Sequence, residues 1–168
     1  NDAYQSGVKI ARPFEWAKNY DQNIWSKVSS TYYVRDSRIP SNFRENAHMS
    51  SMLTGAGMMF DLDIIKKHGW NAMSVSEDAE FTLDCMMNKY KVHYVADAIV
   101  LEDQPSTFVD TFNRLKRMGS GLNRLFFRKG FKFFGHFFKT GDISFIDLFM
   151  QLLFIPVAVL CIGWFPLY

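Results

Sequence analysis

The apolar and polar positions of this chain fall into short blocks rather than one long period. Ala3 to Ile10 alternates loosely and predicts a short strand. Pro13 then opens a stretch in which Phe14, Trp16, Ala17, Trp25 and Val28 suggest a long amphipathic helix over roughly residues 13–35. Arg35 to Asn46 is polar, contains Pro40, and reads as a loop. Thr54-Gly55-Ala56-Gly57 breaks the chain before the apolar run Met58-Met59-Phe60, a predicted strand. Asp61 is placed to cap a short helix ending near His68-Gly69. Ser76 is placed to cap the next helix, whose first turn holds Glu77, Asp78 and Glu80, where carboxylates meet the positive end of the helix dipole. Val92–Val95 and Ala98–Leu101 are two short strand candidates. A helix is expected from Thr107, with interruptions at Gly119 and Gly121.

The last third changes character. From Leu122 to Lys139, Arg and Lys alternate with Phe126, Phe127, Phe131, Phe133, Phe134, Phe137 and Phe138, the pattern of a helix lying in a membrane interface. Leu148 to Tyr168 then carries no charge. At about 1.5 Å per residue it is long enough, roughly 30 Å, to cross a bilayer, with a buried core helix as the alternative. The expected organisation is a soluble segment over 1–121, a basic Phe-rich interfacial segment over 122–142 and a transmembrane helix over 143–168. Positive charge beside the span places the soluble part in the cytoplasm.

Composition sharpens this division. The formal net charge of +2 conceals 15 acidic against 11 basic residues before Thr111, then eight basic residues with no acid up to Gly141. Such a block meets phosphate, nucleic acid or anionic lipid. Phenylalanine is abundant, 17 of 168 residues. Two cysteines, Cys85 and Cys161, imply no disulfide framework, and no Cys/His spacing suggests a structural zinc. The start, Asn1-Asp2-Ala3-Tyr4, has neither an initiating methionine nor a signal peptide and reads as an internal cut in a longer protein.

Three strings could carry chemistry. Glu77-Asp78 is either a pair of helix-stabilising carboxylates or a general base with its neighbour, able to take the proton of an attacking hydroxyl. Thr54, Gly55 and Gly57 form either an ordinary tight turn or a bare backbone that a substrate approaches closely. Arg114, Lys116 and Arg117 form either a solvated basic face, a lipid-headgroup site, or a clamp for a leaving diphosphate.

Taken in order, these strings carry a resemblance. Leu53-Thr54-Gly55-Ala56-Gly57-Met58, Gly69-Trp70, Ser76-Glu77-Asp78-Ala79-Glu80-Phe81, Asp103-Gln104-Pro105, Arg114-x-x-Arg117-Met118 and Gly121 resemble membrane-bound family 2 glycosyltransferases, the cellulose-, chitin- and hyaluronan-synthase-like inverting enzymes. The resemblance implies a partial GT-A type α/β fold, the second half of that catalytic domain, followed by interfacial and transmembrane helices.

Asp78 matches the catalytic base of the family's Thr-Glu-Asp motif, Glu77 its partner, and Ser76 replaces the threonine. Arg117 matches the arginine of Gln-x-x-Arg-Trp, with Arg114 in place of glutamine and Met118 in place of tryptophan. A thioether stacks a sugar less well than an indole, which favours a lipid or short acceptor over a processive polymer. The implied partners are a nucleotide-sugar donor, a glycan or lipid acceptor and membrane lipids, with no nucleic acid. The implied cofactor is Mg²⁺ or Mn²⁺ bound by an Asp-x-Asp motif upstream of Asn1; Asp61-Leu62-Asp63 has the letters but is read as a helix cap. A membrane-anchored lipid-binding or scaffold domain, a degenerate transferase, is the alternative function.

Overall fold

The computed structural model describes residues 5–164, with the backbone alone at 32, 33, 36 and 154–164. The chain divides into two compact units, one of Asn1–Met73 and Glu77–Arg114, the other of Ser74–Ser76 and Leu115–Tyr168.

The first unit is built on a three-stranded sheet with β1 (Ile10–Ala17) at its centre. β2 (Met59–Phe60) pairs antiparallel with Ile10 and Ala11, and β3 (His93–Glu102) runs parallel to β1 from Ala11 to Ala17. Residues expected to begin a long helix at Pro13 are therefore strand. Phe14 and Trp16 are two apart, the period of a strand, and nearly every residue of β1 is buried, so no polar face marks its alternation. Of the strand expected over Ala3–Ile10, Ala3 and Tyr4 lie outside the described residues, and of the rest only Ile10 is strand.

Pro13 has no N–H to give the ladder, and the ladder slips there. Pro13 faces Val95 while Phe14 faces Ile99, so residues 96–98 bulge out of register. The two separate strands expected in this region are the two halves of one irregular strand.

Helix α1 (Ile24–Tyr33) starts where Asn23 accepts from the amides of Trp25 and Ser26, while the Ser26 hydroxyl accepts from the Asn23 amide. A π-helical turn (Val34–Arg38) leads into α2 (Ile39–Asn46). This corrects the loop expected over Arg35–Asn46. Pro40 stands in the first turn of α2, where a missing N–H costs nothing. Glu45 of α2 accepts from the Tyr94 amide at 2.8 Å and meets His93 Nδ1 at 2.9 Å, fastening the helix to β3.

Asp61 caps α3 (Leu62–His68) by accepting from the Asp63 amide, as expected. Helix α4 (Glu77–Met87) packs on the apolar cluster of Ile10, Leu53, Ile64, Ala72, Phe81, Cys85 and Val92. Phe81 anchors it, stacked on Trp70 at 4.5 Å and edge-on to Phe60 at 5.6 Å between ring centroids.

Helix α5 (Phe108–Leu125) contains both Gly119 and Gly121 without interruption, which corrects the breaks expected there. Gly121 serves close packing within the second unit, since a Cβ at that position would stand 2.2 Å from Ser76 Oγ. The break comes later, at a π-helical turn over Phe126–Gly130, so the single interfacial helix expected from Leu122 is in three pieces, the last being α6 (Phe131–Thr140). Gly141 ends α6 in the left-handed conformation and α7 (Ile143–Trp164) follows. Phe126, Phe133, Phe145, Leu148, Phe149 and Leu152 are buried in this unit, with Phe133 stacked on Phe145 at 5.9 Å. Among the described residues no helix is long and apolar enough to cross a membrane. The uncharged run Leu148–Tyr168 falls largely outside the residues described with side chains.

Candidate active site

The first turn of α4 meets the segment Ser50–Thr54 through one threonine. Thr82 Oγ1 accepts from the Leu53 amide at 2.9 Å and donates to the Asp78 carbonyl at 2.9 Å. On its other side the same segment is bound to Val92, just before β3, through Ser51 N–H to the Val92 carbonyl and Val92 N–H to Ser50 Oγ. These bonds put the Thr54–Gly57 turn beside Asp78.

Asp78 is half-buried at the start of α4. Its Oδ1 accepts from the Ala79 amide at 2.7 Å. Burial raises its pKa above the usual carboxylate range, the Glu77 charge adds to this, and the amides of Ala79, Asp78 and Gly55 act against it. Gly55 thus contributes an N–H rather than mere space: a Cβ there would lie an ordinary 3.9 Å from Asp78 Oδ2. Gly57 is different. Its φ is +70°, and a Cβ would stand 2.6 Å from Val100 Cγ2 and 2.8 Å from Pro13 Cγ. Only glycine lets this turn close on the sheet.

Thr54 donates from its hydroxyl to Oε1 of Glu15, a fully buried acid of β1. Arg12 Nη2 lies 3.7 Å from the same oxygen. Arg12 is anchored in turn by the Met52 carbonyl at 2.8 Å and Ser37 Oγ at 2.9 Å. Burial lifts the Glu15 pKa to about 7; Glu102 and Asp78 push it the same way, and Arg12 and Arg114 oppose.

Arg114 donates to Glu102 Oε2 at 3.1 Å and Gln104 Oε1 at 3.0 Å. Gln104 is itself clamped by Asn19, amide to carbonyl in both directions at 2.8 Å. The structure therefore brings Thr54, Gly55 and Asp78 together, and ties Arg114 to Glu102 and Gln104 at the end of β3. Glu77 is half-buried beside Asp78. Arg117 and Met118 belong to the second unit, Arg117 exposed and Met118 half-buried.

Sequence reading missed Arg12, Glu15 and Glu102. The available signal was two opposite charges three residues apart inside the apolar string Ile10-Ala11-Arg12-Pro13-Phe14-Glu15-Trp16-Ala17. Charges in a buried strand must be paired, so such a string marks either a core ion pair or a site. A separate open hollow of ≈ 560 Å³ is lined by Phe14, Trp16, Arg38, Ile99 and Leu101. Among the described residues, no cluster of His, Cys, Asp and Glu is arranged to hold a metal ion.

The profile of glycosyl transferase family group 2 matches residues 3–168. The chain belongs to this family. No curated protein matches it. As a family 2 glycosyltransferase domain, it takes a nucleotide-sugar donor and an acceptor. The mixed α/β unit, with its small sheet and packed helices, fits part of a GT-A domain.

Proposed function

We propose that this glycosyltransferase inverts the transferred sugar and that Asp78 is its general base. The observation that carries the reading is the Asp78 carboxyl itself. It is fixed by backbone amides at the start of a buried helix, beside a turn closed by Gly57, and burial makes it a stronger base than a solvated aspartate.

In the proposed step the acceptor hydroxyl gives its proton to the Asp78 carboxylate. The freed oxygen pair attacks the anomeric carbon on the face opposite the nucleotide. The bond from that carbon to the diphosphate oxygen breaks, the diphosphate leaves with the electron pair, and the configuration inverts. Glu77 holds the entry to α4, and Thr54, Gly55 and Gly57 form the wall against which the sugar lies. Arg114 and Arg117 are assigned to the leaving diphosphate, whose charge guanidinium groups stabilise. Arg114 reaches that role already aligned by Glu102 and Gln104. With Met118 in the acceptor position, a lipid or short glycan acceptor is favoured over a processive polymer.

The Mg²⁺ or Mn²⁺ that the family resemblance implies would neutralise the donor diphosphate when bound. The described residues do not fit such a site, Asp61 being spent on the α3 cap.

We assign the reaction to the cytoplasmic face of a membrane. The second unit exposes Phe127, Phe131 and Phe138 among Arg128, Lys132 and Lys139, a surface suited to anionic lipid.

Asp78→Asn in the intact protein tests the base. Sugar transfer from a nucleotide-sugar panel should fall by about 10²- to 10⁴-fold with expression unchanged. Transfer at the unmodified rate would remove Asp78 from the mechanism.

A further inference from the structure

Besides Asp78, the first unit buries an acid at the centre of its sheet that the proposed chemistry does not use. Glu15 is 2% exposed, at the centre of the sheet, where an unpaired carboxylate is strongly disfavoured. Its carboxyl has a defined position, because Arg12 beside it is anchored on Met52 and Ser37. The Thr54 hydroxyl that it receives belongs to the residue between two others tied to α4. On one side Leu53 is bonded to Thr82, and on the other the Gly55 amide meets the Asp78 carboxylate. Glu15 is thus the strand's own hold on the turn.

We propose that Glu15 is a positioning residue for Asp78: gripped by Arg12 and Thr54, it sets the turn that presents the Gly55 amide to the Asp78 carboxylate. The role rests on Asp78 being the base. It has an electrostatic side as well. The charged and titratable groups around Glu15 are Arg12 on its own strand, Asp78 on α4, Glu102 and Tyr94 on β3, and Arg114 on α5. Glu15 holds its proton below about pH 7 and becomes a second negative charge near Asp78 above it. That charge makes Asp78 a stronger base as pH rises through neutrality.

The test uses the intact protein labelled with ¹³C-carboxyl glutamate and infrared difference spectra across pH. The Glu15→Gln variant identifies the Glu15 band by its loss. The band of the protonated acid should disappear with a midpoint of about 7, and Asp78→Asn should move that midpoint down by removing a repelling charge. In the transfer assay Glu15→Gln, which can still hydrogen-bond Thr54, should lose the inflection near neutrality. Glu15→Ala should lower kcat on the order of 10- to 100-fold.

A Glu15 band that titrates in the ordinary carboxylate range, or that ignores Asp78→Asn, overturns the proposal. So does Glu15→Ala with unchanged kcat in folded protein. If Asp78→Asn leaves transfer intact, the base assignment fails, and the infrared shift still decides whether the two acids are coupled.

Discussion

A carboxyl that keeps its proton on folding makes stability depend on pH in a fixed direction. Glu15 rises from an ordinary 4.5 to about 7. Between those values the folded chain holds a proton that the unfolded chain has released. Its contribution is therefore fully present below about pH 4.5 and is lost as pH rises toward 7, on the order of 3 kcal/mol in all. Unfolding curves of the unmodified protein and Glu15→Gln, compared from pH 4 to 8, should diverge by about that amount, with the variant gaining relative stability at the alkaline end. Parallel curves would mean that Glu15 titrates normally. At this scale Asp78, Thr54 and Gly55 were legible because each stands in a string whose order is distinctive. Glu15 and Arg12 were not, because two charges in an aromatic segment also suit the polar side of an amphipathic helix. What separates the cases is tertiary: both faces of β1 are covered, so the charges must find partners inside.

Among the elements, α1 shows how a short polar side chain fixes a boundary. Asn23 accepts two amide bonds and receives the reciprocal Ser26 contact, which together satisfy donors that a helix start leaves open. Asn23→Ala should destabilise the protein by about 1 kcal/mol, read as a lower urea midpoint with an unchanged slope. A change of slope would mean that the cap shapes more than the helix end. The caps at Asp61 and Gly141 belong to ordinary local chemistry, and the Asp61 cap was expected from sequence. The β1 strand was masked by Pro13, which by itself argues against a central strand. The sheet tolerates it through the slip between Val95 and Ile99, a compensation residing in a segment some eighty residues away that no local window contains. Likewise Pro40 signals a break in isolation, yet suits a helix's first turn once a helix follows.

On the scale of the molecule, the two units carry different kinds of surface. The first concentrates buried charge around β1, whereas the second exposes aromatic rings between cations. If that second surface meets a membrane, the intact protein freed in detergent should rebind vesicles containing anionic lipid and release them as salt is raised, because the attraction between surface charges is screened. Replacing Lys132 and Lys139 with Gln should weaken binding to anionic vesicles, while replacing Phe131 and Phe138 with Ser should weaken it at every salt concentration. Equal binding to neutral and anionic vesicles would contradict the electrostatic part. Family and class were legible at this scale from the order of motifs, since that order survives local errors in element boundaries.

The parallel pairing of β1 with β3 also has a consequence in time. Asn19 and Gln104, which clamp the ends of the two strands, are 85 residues apart. A chain emerging from the ribosome from its first residue must expose Arg12 and Glu15 long before Glu102 and Gln104 exist. Closing so long a loop carries an entropic cost that local contacts do not repay, so β1 waits in solvent, its ion pair hydrated and weak. The surroundings of Asp78 are therefore a late product of synthesis, completed only when β3 arrives, and a nascent fragment ending between Asp78 and Glu102 carries the acid pair without the strand that frames it.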